Sequence, residues 1–337
     1  PTVLARNTAV SPMRIVYGSN STVMLDRLTV SNGYVSGGAG LYLTNCTTTV
    51  TNCMIVANVT GGATARGGGI RASGGSLTVA DSWVLANGEY SESSYYGIGV
   101  CAENAAVTLL RTTFANHTGS SAMAMGNSIL MYGGGAYLSG GSAWIDGCQF
   151  ITNAFGATAQ EYGGALHATG VNPLTVTGCV FRGNGVTSKS GYDAKGGALY
   201  VTGCATARIL NCVFDANTLR LTGSTVEGSD LWLSGTGLVS DCTVTGTDLY
   251  DAGENILVNN ASNNTWLIRN TAVKGLLGNG IRKKGFGALV LTNCLIQACG
   301  INGVLAESGT VVVVQCTVAN NIGWGVTNKG AVVTMSD

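Results

Sequence analysis

The feature that most narrows the fold is a four-residue phrase that recurs along the chain. It reads apolar, any residue, a turn-tolerant polar residue or Gly, then Cys. Val50-Thr-Asn-Cys53, Ile145-Asp-Gly-Cys148, Val176-Thr-Gly-Cys179, Ile209-Leu-Asn-Cys212, Val239-Ser-Asp-Cys242, Leu291-Thr-Asn-Cys294 and Val313-Val-Gln-Cys316 share it. Degenerate copies end at Leu28, Ser82, Thr112 and Thr271. Counted from Leu28, the final positions are 25, 29, 30, 36, 31, 33, 30, 29, 23 and 22 residues apart. About 22 residues make the smallest coil of a solenoid with three short strands and three turns, and longer spacings are that coil with insertions. One coil cannot bury its own apolar residues; stacking on its neighbours does. Runs such as Thr310–Val314 and Ala288–Leu291 are β-branched or apolar and bounded by Gly and Asn, which reads as strand.

The chain is therefore expected to be all-β, a single-stranded right-handed parallel β-helix (β-solenoid) of about 11–12 coils with loop insertions on one edge. Residues 1–337 read as one continuous domain, with longer loop-bearing coils over 37–250 and shorter coils over 251–337. The chain opens at Pro1 without an initiating Met and ends at Asp337 in mid-pattern, as a segment of a longer solenoid would.

Two companion phrases accompany the first. Gly-Gly-Gly-Ile70, Gly-Gly-Ala-Leu166 and Gly-Gly-Ala-Leu199 precede it. Phe150-Ile-Thr-Asn153, Phe181-Arg-Gly-Asn184 and Phe214-Asp-Ala-Asn217 follow it, with Ile55 to Asn58 and Val84 to Asn87 as variants. Like residues stacked at a turn can hydrogen-bond from coil to coil, and Asn tolerates the left-handed conformation a turn needs. Asn58, Asn87, Asn153, Asn184 and Asn217 are thus expected to form a structural ladder. Seven of the 11 cysteines hold one repeat position: Cys53, Cys148, Cys179, Cys212, Cys242, Cys294 and Cys316. Because that position also accepts Ser and Thr, it reads as a stack of inward, unbridged thiols. Cys46, Cys101, Cys204 and Cys299 lie off it, and no Cys/His spacing suggests a metal site. No cofactor is expected.

Composition bounds the partners. Lys+Arg and Asp+Glu balance at 17 each, so the basic excess of a nucleic-acid binder is missing. There is no apolar run long enough for a transmembrane helix. Surface polarity supplied by Thr, Ser, Asn and Gly suits a secreted or cell-surface solenoid.

Function on a solenoid comes from its outer face. Alternation along the strand after the glycines makes an outward row of Tyr42, Arg71, Cys101, Tyr137, His167, Tyr200, Trp232, Leu257, Arg282 and Leu305. A small row, Gly40, Gly69, Gly99, Gly135, Ala165, Ala198 and then Asp230, is expected beside it as an outer shelf, with Thr44, Ser73, Glu103, Ser139, Thr169, Thr202 and Ser234 on the other side. Insertions Val59–Arg66, Gly88–Tyr96, His117–Tyr132, Ala154–Tyr162, Gly185–Lys195 and Thr218–Glu227 would wall this groove, several ending in Tyr. Sugars stack on aromatic faces, and Arg or His bind their polar groups. Candidate ligand-binding residues are therefore Tyr42, Arg71, Tyr137, His167, Tyr200, Trp232 and Asp230, for a glycan, polysaccharide or host or cell-surface partner. If the chain is an enzyme, His167 with Tyr137 and Tyr200 would move protons in a uronate β-elimination and Arg71 would neutralise the carboxylate. Hydrolysis needs two carboxylates, and no pair stands out. His117, at the start of an insertion, reads as solvated.

The coupled Gly-Gly-Ala-Leu (163–166, 196–199) and Phe-x-x-Asn (150–153, 181–184, 214–217) phrases resemble the repeats of chlamydial polymorphic outer-membrane proteins, and more widely the passenger domains of autotransporter-type surface proteins. The likeness is close over residues 37–217, after which the coils resemble generic pectin-lyase-like repeats. Phe114-Ala-Asn116 is one residue short of the phrase. The resemblance implies a surface or secreted solenoid, often an adhesin. The paired aspartates of polygalacturonases and the calcium-binding acids of pectate lyases are not visible.

Overall fold

Among the described residues the strands pair in parallel, each with its counterpart one coil away, and the one antiparallel bridge is the isolated contact of Met13 with Tyr34. The computed structural model describes residues 2–7, 12–119, 130–157, 160–188, 192–221, 226–247, 253–261, 263–275 and 277–337. It is a right-handed parallel β-solenoid without α-helix among those residues. One sheet stacks twelve short strands, from Thr2–Ala5 to Thr317–Ala319. Two more stacks hold the strands after the glycines (Val100–Glu103, Leu166–Thr169) and the strands before the Cys (Ala106–Leu110, Leu174–Thr177). In Leu41–Thr51, Ile70–Ala80, Leu199–Leu210 and Leu231–Ser240 one long strand bends through both stacks.

Register is held by identity. Phe114, Phe150, Phe181 and Phe214 are mutual partners, buried with centroids 4.8 Å apart and planes within 12° of parallel. Isolated aromatic pairs avoid this face-to-face geometry. Here the spacing of parallel strands imposes it. Leu41, Ile70, Val100, Ala136, Leu166, Leu199, Leu231, Ile256 and Ile281 form another fully buried row.

The Cys position has a specific requirement. In each phrase the third residue is left-handed: Asn52, Asp81, Arg111, Gly147, Gly178, Asn211 and Asp241 have φ between 45° and 61°. The fourth side chain turns back and donates to the carbonyl two residues earlier. Cys53 donates to Thr51 O (3.1 Å), Cys179 to Thr177 O (3.2 Å), Ser82 to Ala80 O (2.7 Å) and Thr112 to Leu110 O (2.9 Å). The same atom accepts from the neighbouring coil, as Ser82 Oγ does from the Cys53 amide. A small side chain that both donates and accepts fits, which explains the Cys/Ser/Thr exchange. All 11 cysteines are unbridged.

The asparagine ladder is buried and continuous in hydrogen bonds. The Asn153 amide and Nδ2 both donate to Asn184 Oδ1 (3.1 and 3.0 Å), and those of Asn184 to Asn217 Oδ1 (3.0 Å each). Each Nδ2 also closes a backbone carbonyl, Asn184 on Phe150 O and Asn217 on Phe181 O. The left-handed residue is the one before the Asn (Ala57, Ala86, Thr152, Gly183, Ala216), not the Asn itself as its turn tolerance suggests. His117 is not solvated. It is fully buried and fills the missing rung: its Nδ1 accepts from the Asn87 amide (3.2 Å), while its own amide donates to Asn153 Oδ1 (3.4 Å). The phrase is one residue short only because Asn116 takes the left-handed place (φ 57°). Nδ1 is an acceptor, so the neutral ring carries its proton on Nε2, which is buried and makes no well-formed hydrogen bond, the backbone of Val84 being its nearest partner. Burial lowers its pKa to about 4. Cys299 holds the same rung in a later coil, its amide donating to Asn321 Oδ1 (3.0 Å).

Asn184→Ala leaves several buried groups without partners, at about 1–3 kcal/mol each, so a loss of about 3 kcal/mol or more is expected in denaturant unfolding. His117→Asn restores the rung and removes the titration. The unfolded histidine takes up its proton below pH 6.5 and the folded one near pH 4, so the parent loses stability as pH falls through that window, on the order of 3 kcal/mol in all. The variant should therefore gain over the parent from pH 7 to pH 5 in thermal unfolding, and an equal pH slope would refute this.

Candidate functional site

The outward row lies in the register its residue spacing predicts. Tyr17, Tyr42, Arg71, Cys101, Tyr137, His167, Tyr200, Trp232, Leu257, Arg282 and Leu305 are successive partners. Its surroundings differ from expectation in two ways.

First, the small row is not an outer shelf. The strands begin one residue later, at Leu41, Ile70, Leu199 and Leu231, so the alternation does not extend back to it. These residues sit in the corner against the ladder. A Cβ on Gly40 or Gly69 would press to 3.1 Å on the amides of Asn58 and Asn87, and one on Gly99 would meet His117 Nε2 at 2.5 Å. Asp230 accordingly faces inward. It is fully buried, its Oδ1 accepting from Asn217 Nδ2 (2.8 Å) and its Oδ2 from Asn255 Nδ2 (3.2 Å). It caps the ladder, and that placement removes it from the groove.

Second, the insertions are strands. Val59–Arg66 and Gly88–Tyr96 pair along their length, and Leu130–Tyr132, Glu161–Tyr162, Ala194–Lys195 and Val226–Glu227 continue the same parallel sheet. Residues 120–129, 158–159, 189–191 and 222–225 of these insertions lie outside the described residues. Ala65, Tyr95, Met131, Ala194, Val186 and Leu219 give the insertions a core of their own. The sheet ends in Tyr96, Tyr132 and Tyr162, which fold over the outward row. Tyr96 meets Tyr137 edge-on (5.0 Å), Tyr132 meets His167 (5.2 Å) and Tyr162 stacks on Tyr200 (4.9 Å). Tyr200 in turn stacks on Trp232 at 4.4 Å. Cys101 and Leu257 are thereby sealed, and His167, Trp232 and Tyr200 are only 5%, 6% and 9% exposed. What remains open is a cleft of about 270 Å³ lined by Tyr96, Tyr132, Tyr137, Tyr162, His167, Thr169, Tyr200 and Thr202.

The cleft suits binding better than proton transfer. His167 Nδ1 lies 3.4 Å from Tyr162 O, and burial lowers its pKa to about 3. A group that stays neutral far below pH 7 is a feeble general base. Burial pushes Tyr132 and Tyr162 up to about 12, and Tyr200 further, so all three remain neutral hydroxyls. Arg71 is three strands from His167, roughly 14 Å at the usual spacing of about 4.8 Å. It faces Glu103 (3.6 Å). The structure therefore does not bring the four residues of the elimination scheme around one sugar.

Beyond Trp232 the row becomes ionic. Trp232 Nε1 donates to Glu227 (3.2 Å), which also pairs with Lys284 (2.6 Å). Arg282 bridges Glu254 (3.4 Å) and Glu307 (3.1 Å). Burial raises Glu254 to about 7. Among the described residues, no group of three or more His, Cys, Asp or Glu is arranged to hold a metal ion. The sequence hid this cluster because Glu227, Glu254, Arg282 and Glu307 come from four coils.

The family model for the right-handed β-helix region matches residues 90–272 and 169–337. No curated protein and no solved structure was found to match the chain. Two overlapping matches running from residue 90 to residue 337, on a solenoid with these stacks, place the chain in the right-handed β-helix family.

Proposed function

We propose that this solenoid binds glycans through the tyrosine cleft, as a surface-displayed or secreted adhesive module of the autotransporter-passenger kind. The observation that carries this reading is the cleft itself: six aromatic rings from two stacked sheets converge on one open site, which Thr169 and Thr202 also line. Sugar rings present apolar C–H faces to aromatic rings and hydroxyls to neutral donors such as tyrosine O–H. The rings are held by mutual stacking and by rigid sheet, so little ordering cost accompanies binding. The alternative, a uronate lyase, lacks support from the pKa of His167 and the position of Arg71.

Binding to a glycan array, followed by calorimetry on the best ligand, tests the reading. Tyr137→Ala and Tyr162→Ala should each weaken affinity about tenfold or more, about 1.4 kcal/mol. Trp144→Ala removes an exposed ring (49% exposed) on a different face and should change nothing. Equal losses in all three, or none in the tyrosine variants with unfolding midpoints retained, would count against the cleft.

A further inference from the structure

Below Tyr137 the outward row continues through Cys101 and Arg71 to Tyr42 and Tyr17, and three guanidinium groups collect there. Arg14 and Arg71 lie 4.6 and 4.8 Å from the centroid of the Tyr42 ring, and Arg66 lies 5.0 Å from that of Tyr96. Tyr96 is also a wall of the cleft, so the cationic group and the cleft are continuous.

Their charge is not balanced. Among the described residues, the one carboxylate paired with them is Glu103, with Oε1 3.3 Å from Arg66 Nε and Oε2 3.6 Å from Arg71 Nη2. Glu89 of the overlying sheet makes no ion pair with them, and burial raises its carboxyl well above the usual range, which disfavours its charge. Arg14 spends its donors on uncharged acceptors, Gly38 O (2.9 Å), Gly37 O (2.7 Å) and Ser36 O (3.3 Å). The Nε–H of Arg71 is buried without an acceptor, and that of Arg66 has only Glu103 Oε1, in an ion pair without good hydrogen-bond geometry. Three cations against one anion, partly withdrawn from water, attract an oxyanion. The idle Arg71 donor can add a directional bond to that attraction.

We propose that the ligand of the tyrosine cleft is a sulfated glycan whose sulfate groups are taken by Arg66, Arg71 and Arg14, and that Glu103 is a built-in competitor for the same guanidinium groups. The proposal rests on the reading of the cleft as a sugar site and names its substrate class. A ligand carboxylate would do little more than replace Glu103. A sulfate ester carries three terminal oxygens, enough to take what Glu103 takes and also to offer an acceptor to the idle Nε–H of Arg71. Several cations strung along the solenoid axis suit a chain bearing charge on successive units.

Affinity for a chondroitin sulfate oligosaccharide and for its unsulfated counterpart tests this, measured by calorimetry at low and high salt. The sulfated probe should bind at least tenfold tighter, and salt should narrow the gap. Glu103→Gln, which removes the competitor and keeps the shape, should tighten sulfated binding severalfold. Arg71→Gln should weaken it about tenfold. Equal affinity for the two probes, or weaker or unchanged binding in Glu103→Gln, overturns the proposal. If Tyr137→Ala abolishes binding while Arg71→Gln and desulfation leave it unchanged, the cleft reading stands and the sulfate assignment falls. If neither probe binds and no neutral glycan does, both fall.

Discussion

Strict coil-to-coil register is the constraint on which the rest of this structure depends. Parallel strands set like residues about 4.8 Å apart, and a slip by one residue would turn every side chain to the other face. Two buried stacks prevent the slip. In the asparagine ladder Asn184 shows the pattern: its amide and Nδ2 donate to Asn217 Oδ1, its Nδ2 also closes Phe150 O, and its Oδ1 accepts both donors of Asn153. In the Cys/Ser/Thr stack each side chain ties its own turn and meets the next. Buried polar networks of this kind specify a fold because their alternatives leave unpaired groups in the interior.

The site is a consequence of that register. One residue per coil points outward, so a stripe forms without any loop being asked to position it. The insertions obey the same rule: leaving and re-entering at equivalent positions, they pair into a sheet of their own, and three successive coils bring Tyr96, Tyr132 and Tyr162 over the stripe. The result is a cleft between two ordered layers. Its chemistry is that of stacked rings and neutral hydroxyls, with cations at the Arg71 end and an ion-pair network at the Glu227 end.

The solenoid, its rungs and the outward row were legible because they depend on spacing, and spacing survives without three-dimensional information. The misreadings share a cause: they concern corners and insertions, where alternation stops. Asp230 and the glycines before the strands looked outward because period-two counting was carried past the strand start at Leu231 or Leu41. His117 looked like a loop residue because Asn116, not His117, takes the left-handed place. The insertions have no strong apolar pattern in Gly88–Tyr96, and their pairing comes from stacking on neighbours. Burial of His167 follows from Tyr132 and Tyr162, which lie in different coils and are adjacent only once the second sheet forms.

Whether two stacked layers of aromatic residues make one sugar site is decided by a crystal structure of the protein soaked with an oligosaccharide selected on the array. Density for a sugar ring is expected in the cleft against Tyr137, Tyr162 and Tyr200, extending toward Arg71. Density on another face, or a saturated complex with that cleft empty, would contradict it.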